Sequence, residues 1–252
     1  MPLKKIYKVL RKQWRRFKFA RTVNWYKTIY FNYKMFPKHI ARKLPVFFYG
    51  SVKFNSLQGK VTIDAATIKR GMIGFGQNYE MNKRSMRIAE ITLDGHLAFK
   101  GYCQFGKDYF LNIMDDAYCE MGNMASLGSR GKIICSKEIK FGEYARIGSE
   151  SQLIDTNFHA MINTETGEKS EMKGSIHLGN YNYFGNRISV YKDTKTPNFT
   201  TIASHAVLKK DFSDVPENTM IGGIPAKVIK SNISRDWEGE RAMIENALMI
   251  DF

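Results

Sequence analysis

Residues 178–208 read LGNYNYFGNRISVYKDTKTPNFTTIASHAVL, and this stretch decides the fold. From Leu178, steps of six land on Phe184, Val190, Thr196, Ile202 and Leu208, and five of these six positions are apolar. The residues just after the first five are Gly179, Gly185, Tyr191, Pro197 and Ala203, mostly small or turn-forming. An apolar residue followed by a corner residue at every sixth position is a hexapeptide repeat. Each hexapeptide supplies one short strand and one turn. Three of them close a triangular coil of about 18 residues, and coils stack at the inter-strand spacing of about 4.8 Å. The apolar residue points inward onto its equivalents above and below, and the small residue beside it lets the backbone turn.

Upstream, Cys135, Phe141, Ile147 and Leu153 carry the same period, with Gly142 and Gly148 following two of them. Before residue 135 the period blurs, although Gly74, Gly106 and Gly122 each follow an apolar residue. Roughly 180 residues of this texture predict about nine or ten coils and a prism some 45 Å long. The advance from Leu153 to Leu178 reads as one coil plus seven extra residues. The excess falls on the polar, glycine-containing residues 163–173, expected to be an extruded loop. Cys103, Cys119 and Cys135 recur at one constant spacing, match no metal motif, and are read as small apolar residues at similar sites of a repeat. Three thiols cannot all pair. With no signal-peptide core and no apolar run approaching membrane-spanning length, a reducing, cytoplasmic setting is expected.

Two segments go beyond periodicity. The first is Asp155-Thr156-Asn157-Phe158-His159; the second is Val215-Pro216-Glu217-Asn218 followed by residues 221–230, IGGIPAKVIK. Together, over residues 45–235, they resemble the hexapeptide-repeat acyltransferase superfamily, closest to the sugar and polysaccharide O-acetyltransferases. That group usually shows Asp-x-Asp-x-His, then a hexapeptide run, then V-P-x-N and G-N-P-A-K-V. Here Asn157 stands at the second Asp, Ile224 before Pro225, Tyr183 at a usual Trp, and Ala203-Ser204-His205-Ala206 at a usual Gly-Ala-Gly-Ser. The resemblance implies left-handed coiling, acetyl-CoA as co-substrate with no tightly bound cofactor and no metal, a saccharide acceptor, and a homotrimer. It also implies that acetyl-CoA runs between prisms past Ala203, Ser204 and Gly223, with Lys227 near the nucleotide phosphates.

His159 stands out on the residues alone. A step of six from Leu153 lands on it, where an inward apolar residue is expected, and the repeat breaks beside it. A neutral imidazole can take the proton of a sugar hydroxyl during attack on a thioester. Asp155 is expected either to orient that imidazole, as in a catalytic triad, or simply to form a turn. His159 and His177 are one ideal coil apart, yet the extra residues spoil the register that clustered zinc ligands would need, and no third histidine has ligand spacing. Two other readings stay open: an N-acyltransferase on a nucleotide-linked amino sugar, and a catalytically silent scaffold.

Charge is unevenly placed. Residues 1–63 hold sixteen of the 39 lysines and arginines and no acid, so the remaining 23 basic residues face all 24 acids in the body. Ile6, Leu10, Trp14 and Phe17 recur at helical spacing within residues 4–34, and Pro37 and Pro45 end that region. Three readings compete for it: a membrane-surface helix using Trp14, Phe17, Trp25 and Tyr26, a nucleic-acid arm without any recognition motif, and a solvated cap on the first coil. Cap plus membrane surface is preferred, with no nucleic acid as partner. The chain therefore divides into a basic helical segment (1–46), an all-β left-handed parallel β-helix (47–230) and a C-terminal helix (231–252).

Overall fold

The structure is a computed structural model that describes residues 7, 10, 11, 13, 14, 17, 20–77 and 84–249. Ile6, the first residue of the helical stripe, lies outside the described residues.

From Val46 onward the chain winds as a three-sided parallel β-helix. Among the described residues, one face has nine strands, eight from Val46–Phe48 to Met220–Gly222 and a ninth, Lys227–Lys230, that closes it. The second has seven, from Lys53–Leu57 to Val207–Leu208, and the third has five, from Lys60–Ile63 to Ser175–Leu178. Isolated parallel bridges His177 to Lys195 and Lys195 to Asp211 carry the third face upward. Among the described strands the ladders are parallel except the last, where Lys227–Lys230 turns back on Met220–Gly222.

The six-step ladder is the inner wall. Leu178, Phe184, Val190, Ile202 and Leu208 are buried, and so are Cys135, Phe141, Ile147 and Leu153. The one polar rung, Thr196, is buried too; its Oγ1 accepts from the Gly179 N–H (3.1 Å) and from Asn182 Nδ2 (2.7 Å). A hydroxyl is tolerated in the core because both partners are supplied locally. The three cysteines are free and buried, each on a different face of the prism. A hydrogen bond with Cys119 and burial push the Cys135 thiol well up, so it stays a core group.

The coil lengths explain the blurred period. Val190 pairs with Leu208, three hexapeptides on, whereas Cys103 pairs with Ala125 and Lys132 with Gln152, both longer steps. Lower down, Ile73 pairs with Cys103 across a coil that is longer still. Extra corner residues stretch the early coils without disturbing the inward positions. The nine-stranded face therefore has eight parallel rungs, not nine or ten coils, and spans about 34 Å. The wider lower coils are filled by aromatics: Phe48 stacks on Phe75 (5.0 Å) and Phe75 on Phe105 (4.2 Å).

Corners are held from below. At the edge between the nine- and seven-stranded faces, Arg130, Glu150, Arg187 and His205 all have positive φ, 58° to 64°. Each donates its N–H to the coil beneath, for example Glu150 to the Ser129 carbonyl (2.8 Å) and Arg187 to that of Ser149 (2.8 Å). These bonds compensate the cost of a left-handed residue. The Glu150 carboxylate also bridges Arg130 and Arg187.

Helices close the two other parts of the fold. Helix α1 (Trp25–Met35) caps the bottom: Asn32 exchanges hydrogen bonds with Val46, Thr28 Oγ1 accepts from the Phe48 N–H, and Phe31 packs on Phe48. Pro37 then N-caps the short helix α2 (Lys38–Ala41). Helix α3 (Trp237–Leu248), N-capped by Asp236, packs on the edge between the five- and nine-stranded faces. There Tyr144, Tyr181 and Phe199 stack at about 5 Å rung to rung, Trp237 meets two of these rings edge-on, and Tyr144 Oη donates to Glu245 Oε1.

Candidate active site

The repeat breaks after the strand Gln152–Ile154. Leu153 pairs not with Leu178 but with Val190, so the insertion is about one whole coil in total, well beyond the seven residues expected. The chain leaves the prism after Thr156 and returns at Gly174, whose N–H donates to the Asp155 carbonyl (2.9 Å). Residues 157–173, not 163–173 alone, form an arm. Its two limbs are joined at Asn157 with Met172 (2.9 Å), Met161 with Ser170 (2.8 Å) and Asn163 with Glu168 (2.8 Å). At its tip Asn163 Oδ1 accepts from the N–H groups of Glu165 and Thr166, an Asx turn.

Every residue of the arm is exposed, including Phe158, Met161, Ile162 and Met172. His159 lies on the first limb, so it does not occupy the inward slot that a step of six assigns it. The strand ends before that slot is reached, and Phe158 at φ 60° bends the limb outward.

Asp155 is fully buried at the arm's root. One carboxylate oxygen accepts from the Ser136 N–H (2.7 Å) and hydroxyl (2.8 Å), and the other from the N–H groups of Lys137 (2.8 Å) and Glu138 (2.9 Å). Four donors saturate it, so it does not orient the imidazole by a hydrogen bond. Of the two expectations for Asp155, turn formation is the one the geometry supports. It is a positioning residue that clamps the arm's root to the corner of the coil below.

The expected donor-binding residues gather elsewhere, at the edge between the nine- and seven-stranded faces. The Val207 N–H donates to the Gly223 carbonyl (3.0 Å), the Ala226 N–H to that of Val207 (2.9 Å), and Gly222 pairs with Lys227. Ser204, Gly223 and Lys227 are exposed there. The Ala203 N–H is already taken by the Ile221 carbonyl (2.8 Å), so this amide is not a free donor. Close stacking explains the small residues: a Cβ on Gly185 would lie 2.5 Å from Ser204 Oγ, and Gly223 has φ 99°, a conformation that favours glycine.

On the nine-stranded face, toward the edge where α3 packs, a cleft of about 370 Å³ is lined by Tyr183, Thr201, Met220, Ile233 and Arg235. Arg235 lies over the rings of Tyr183 (5.1 Å) and Trp237 (4.9 Å), and its Nε donates to Glu240 (2.8 Å). Arg235 escaped the sequence reading because it follows the repeat; only the substitution of Tyr183 for a usual Trp pointed to this surface. His177 sits on the five-stranded face with its Nε2 2.5 Å from Glu138 Oε1. Among the described residues no group of three His, Cys, Asp or Glu is placed to hold a metal ion.

Arm and cleft do not meet within one chain. The arm leaves the edge shared by the seven- and five-stranded faces, and in a triangular prism that edge is opposite the nine-stranded face.

No family model and no curated protein matches the sequence. Among solved structures, the chain is similar to the polySia-specific acetyltransferase NeuO, with 18% identity over 76% of this chain and 78% of that one and a TM-score of 0.45. It is also similar to the polysialic acid O-acetyltransferase OatWY (19% identity, 75% and 90% covered, TM-score 0.39). A third is AntD, an N-acyltransferase from Bacillus cereus in complex with dTDP and 3-hydroxybutyryl-CoA (11% identity, 84% and 96% covered, TM-score 0.41). These are likenesses of chain path between proteins less than a fifth identical. The six-residue period, the parallel ladders and the stacked corners make this chain a hexapeptide-repeat β-helix.

Proposed function

We propose that the protein is an acetyl-CoA-dependent O-acetyltransferase of saccharide hydroxyls, with a left-handed coil and an active site completed between the prisms of a homotrimer. The observation that carries this reading is the arm 157–173. An otherwise closed solenoid extrudes it, and it exposes four large apolar side chains and an imidazole. Such an arm needs a surface to cover, and its own chain's cleft is on the opposite side. A neighbouring prism supplies the surface, and closed threefold symmetry satisfies all three arms at once.

In this reading His159, neutral, accepts the proton of the sugar hydroxyl as the oxygen attacks the thioester carbonyl. The tetrahedral oxyanion needs an N–H donor, for which the Ser204 corner of a neighbouring prism is the candidate. Collapse expels the CoA thiolate, which the imidazolium reprotonates. In the same reading Lys227 meets the nucleotide phosphates, and Gly223 lets the backbone approach the donor closely.

The test follows thiol release from acetyl-CoA with saccharide acceptors. The wild type is expected to turn over only when a hydroxyl acceptor is present, and His159→Ala to lose about 10²- to 10⁴-fold in kcat, the range for a general base. Near-normal turnover in that variant removes His159 from the mechanism. Turnover confined to a nucleotide-linked amino sugar establishes the N-acyltransferase reading instead. No thiol release with any acceptor leaves the scaffold.

A further inference from the structure

The N-terminal region presents a second surface, at the end of the prism far from the last coils. Its described residues before Val23 are helical, and Tyr7, Leu10, Trp14 and Phe17, spaced three, four and three apart, are all more than half exposed. Helix α1 repeats the pattern. Its inner side, Thr28, Phe31 and Asn32, is buried on the first coil, while its outer side exposes Tyr26 (75%), Ile29, Tyr30 and Tyr33. Trp25 does not belong to this outer stripe: it packs against Phe47 at 5.5 Å and donates its indole N–H to the Ala20 carbonyl. The aromatic residues thus divide between a cap and an outward-facing surface, which sequence spacing alone merged.

Around both stripes the charge is of one sign, because residues 1–63 contain sixteen lysines and arginines and no acid. Among the described residues no helix is long and apolar enough to cross a membrane. Rows of Leu, Ile, Phe and Tyr flanked by cations, on helices too polar to span, match a bilayer whose headgroups are anionic and whose boundary accepts aromatic rings. A nucleic acid would use the cations but would leave Leu10 and Ile29 in water. We infer that these helices form a docking surface that lies on an anionic lipid bilayer and holds the base of the prism against it.

Flotation of the full-length protein with lipid vesicles tests this. With phosphatidylcholine vesicles containing about a third phosphatidylglycerol, most of the protein is expected to float; with phosphatidylcholine alone, almost none. Leu10→Ser with Phe17→Ser, and separately Tyr26→Ser with Tyr33→Ser, should each lower vesicle affinity at least tenfold. Neither pair touches the buried side of α1, so thermal melting should stay unchanged. Absence of flotation with anionic vesicles overturns the proposal, as does equal flotation with neutral ones. Binding that high salt abolishes but the serine variants leave intact marks a general polyanion surface and also overturns it. If the serine pairs change the oligomer mass in light scattering, the stripes are a contact between copies and the lipid surface is wrong.

Discussion

The inner wall of the prism and the arm 157–173 are built from similar residues to opposite effect. Phe, Ile and Met on the wall are almost entirely removed from water, whereas Phe158, Met161, Ile162 and Met172 on the arm stand in it. The wall obtains its stability from repetition, since each rung is covered by the next. The arm has no rung above or below, and its internal hydrogen bonds satisfy its backbone without burying its side chains. In the proposed reading, stability and chemistry are therefore physically separated. Damage to the wall should act through folding, and damage to the arm should act through turnover.

The largest effect is expected at Phe75, which stacks between Phe48 and Phe105 and is fully buried. Phe75→Ala should cost about 3–5 kcal/mol in denaturant unfolding, the range for truncating a core aromatic. Activity per folded molecule should be retained. Asp155 joins the two regions. Asp155→Ala strands the N–H groups of Ser136, Lys137 and Glu138 at a partly buried corner and should cost roughly 3 kcal/mol, given about 1–3 kcal/mol per unsatisfied group with partial relaxation. It should also reduce turnover by loosening the arm's root, and a loss of turnover without a loss of stability would contradict the clamp.

A smaller effect is expected on the five-stranded face. Burial disfavours the Glu138 carboxylate, but hydrogen bonds with Lys140 and His177 outweigh it and hold its pKa below the usual 4.5. A depressed carboxylate stabilises the fold above its unfolded pKa, and that contribution is lost as pH falls through the folded value. Glu138→Gln should thus cost under about 1 kcal/mol at pH 7 and almost nothing near pH 3, measured by denaturant titration at both. The smallest change in stability belongs to His159→Ala, within about 0.5 kcal/mol as for an exposed site. A larger destabilisation would mean that the imidazole packs against something, and would weaken the contrast between wall and arm.

The six-step ladder was legible at 178–208 because each coil there advances without corner insertions, so spacing along the chain equals position on the wall; at 135–153 it showed only within one coil, whose own pairing of Ile133 with Leu153 is longer than three hexapeptides. The coils before 135 carry extra corner residues and hide the same inward pattern, although Cys103 still pairs with Ala125 as directly as Val190 does with Leu208. The break near His159 was also visible as a missing rung. Its size was not, because a period reports that a strand points inward but not which of three faces it joins; Leu178 resumed on the five-stranded face, not above Leu153.

Local order along the chain was enough for the repeat, the arm's existence and the one-sided charge of residues 1–63, since each depends only on which residue types follow one another. Three matters needed the stacked coils. The four donors around Asp155 come from residues 136–138, a full turn earlier, and become neighbours only when one coil lies on the next. The cleft under Arg235 exists because the chain reverses after Met220–Gly222 and crosses back over Tyr183. The division of the N-terminal aromatics into a buried cap and an exposed face depends on which side of α1 meets Phe48, a contact between residues far apart in the chain.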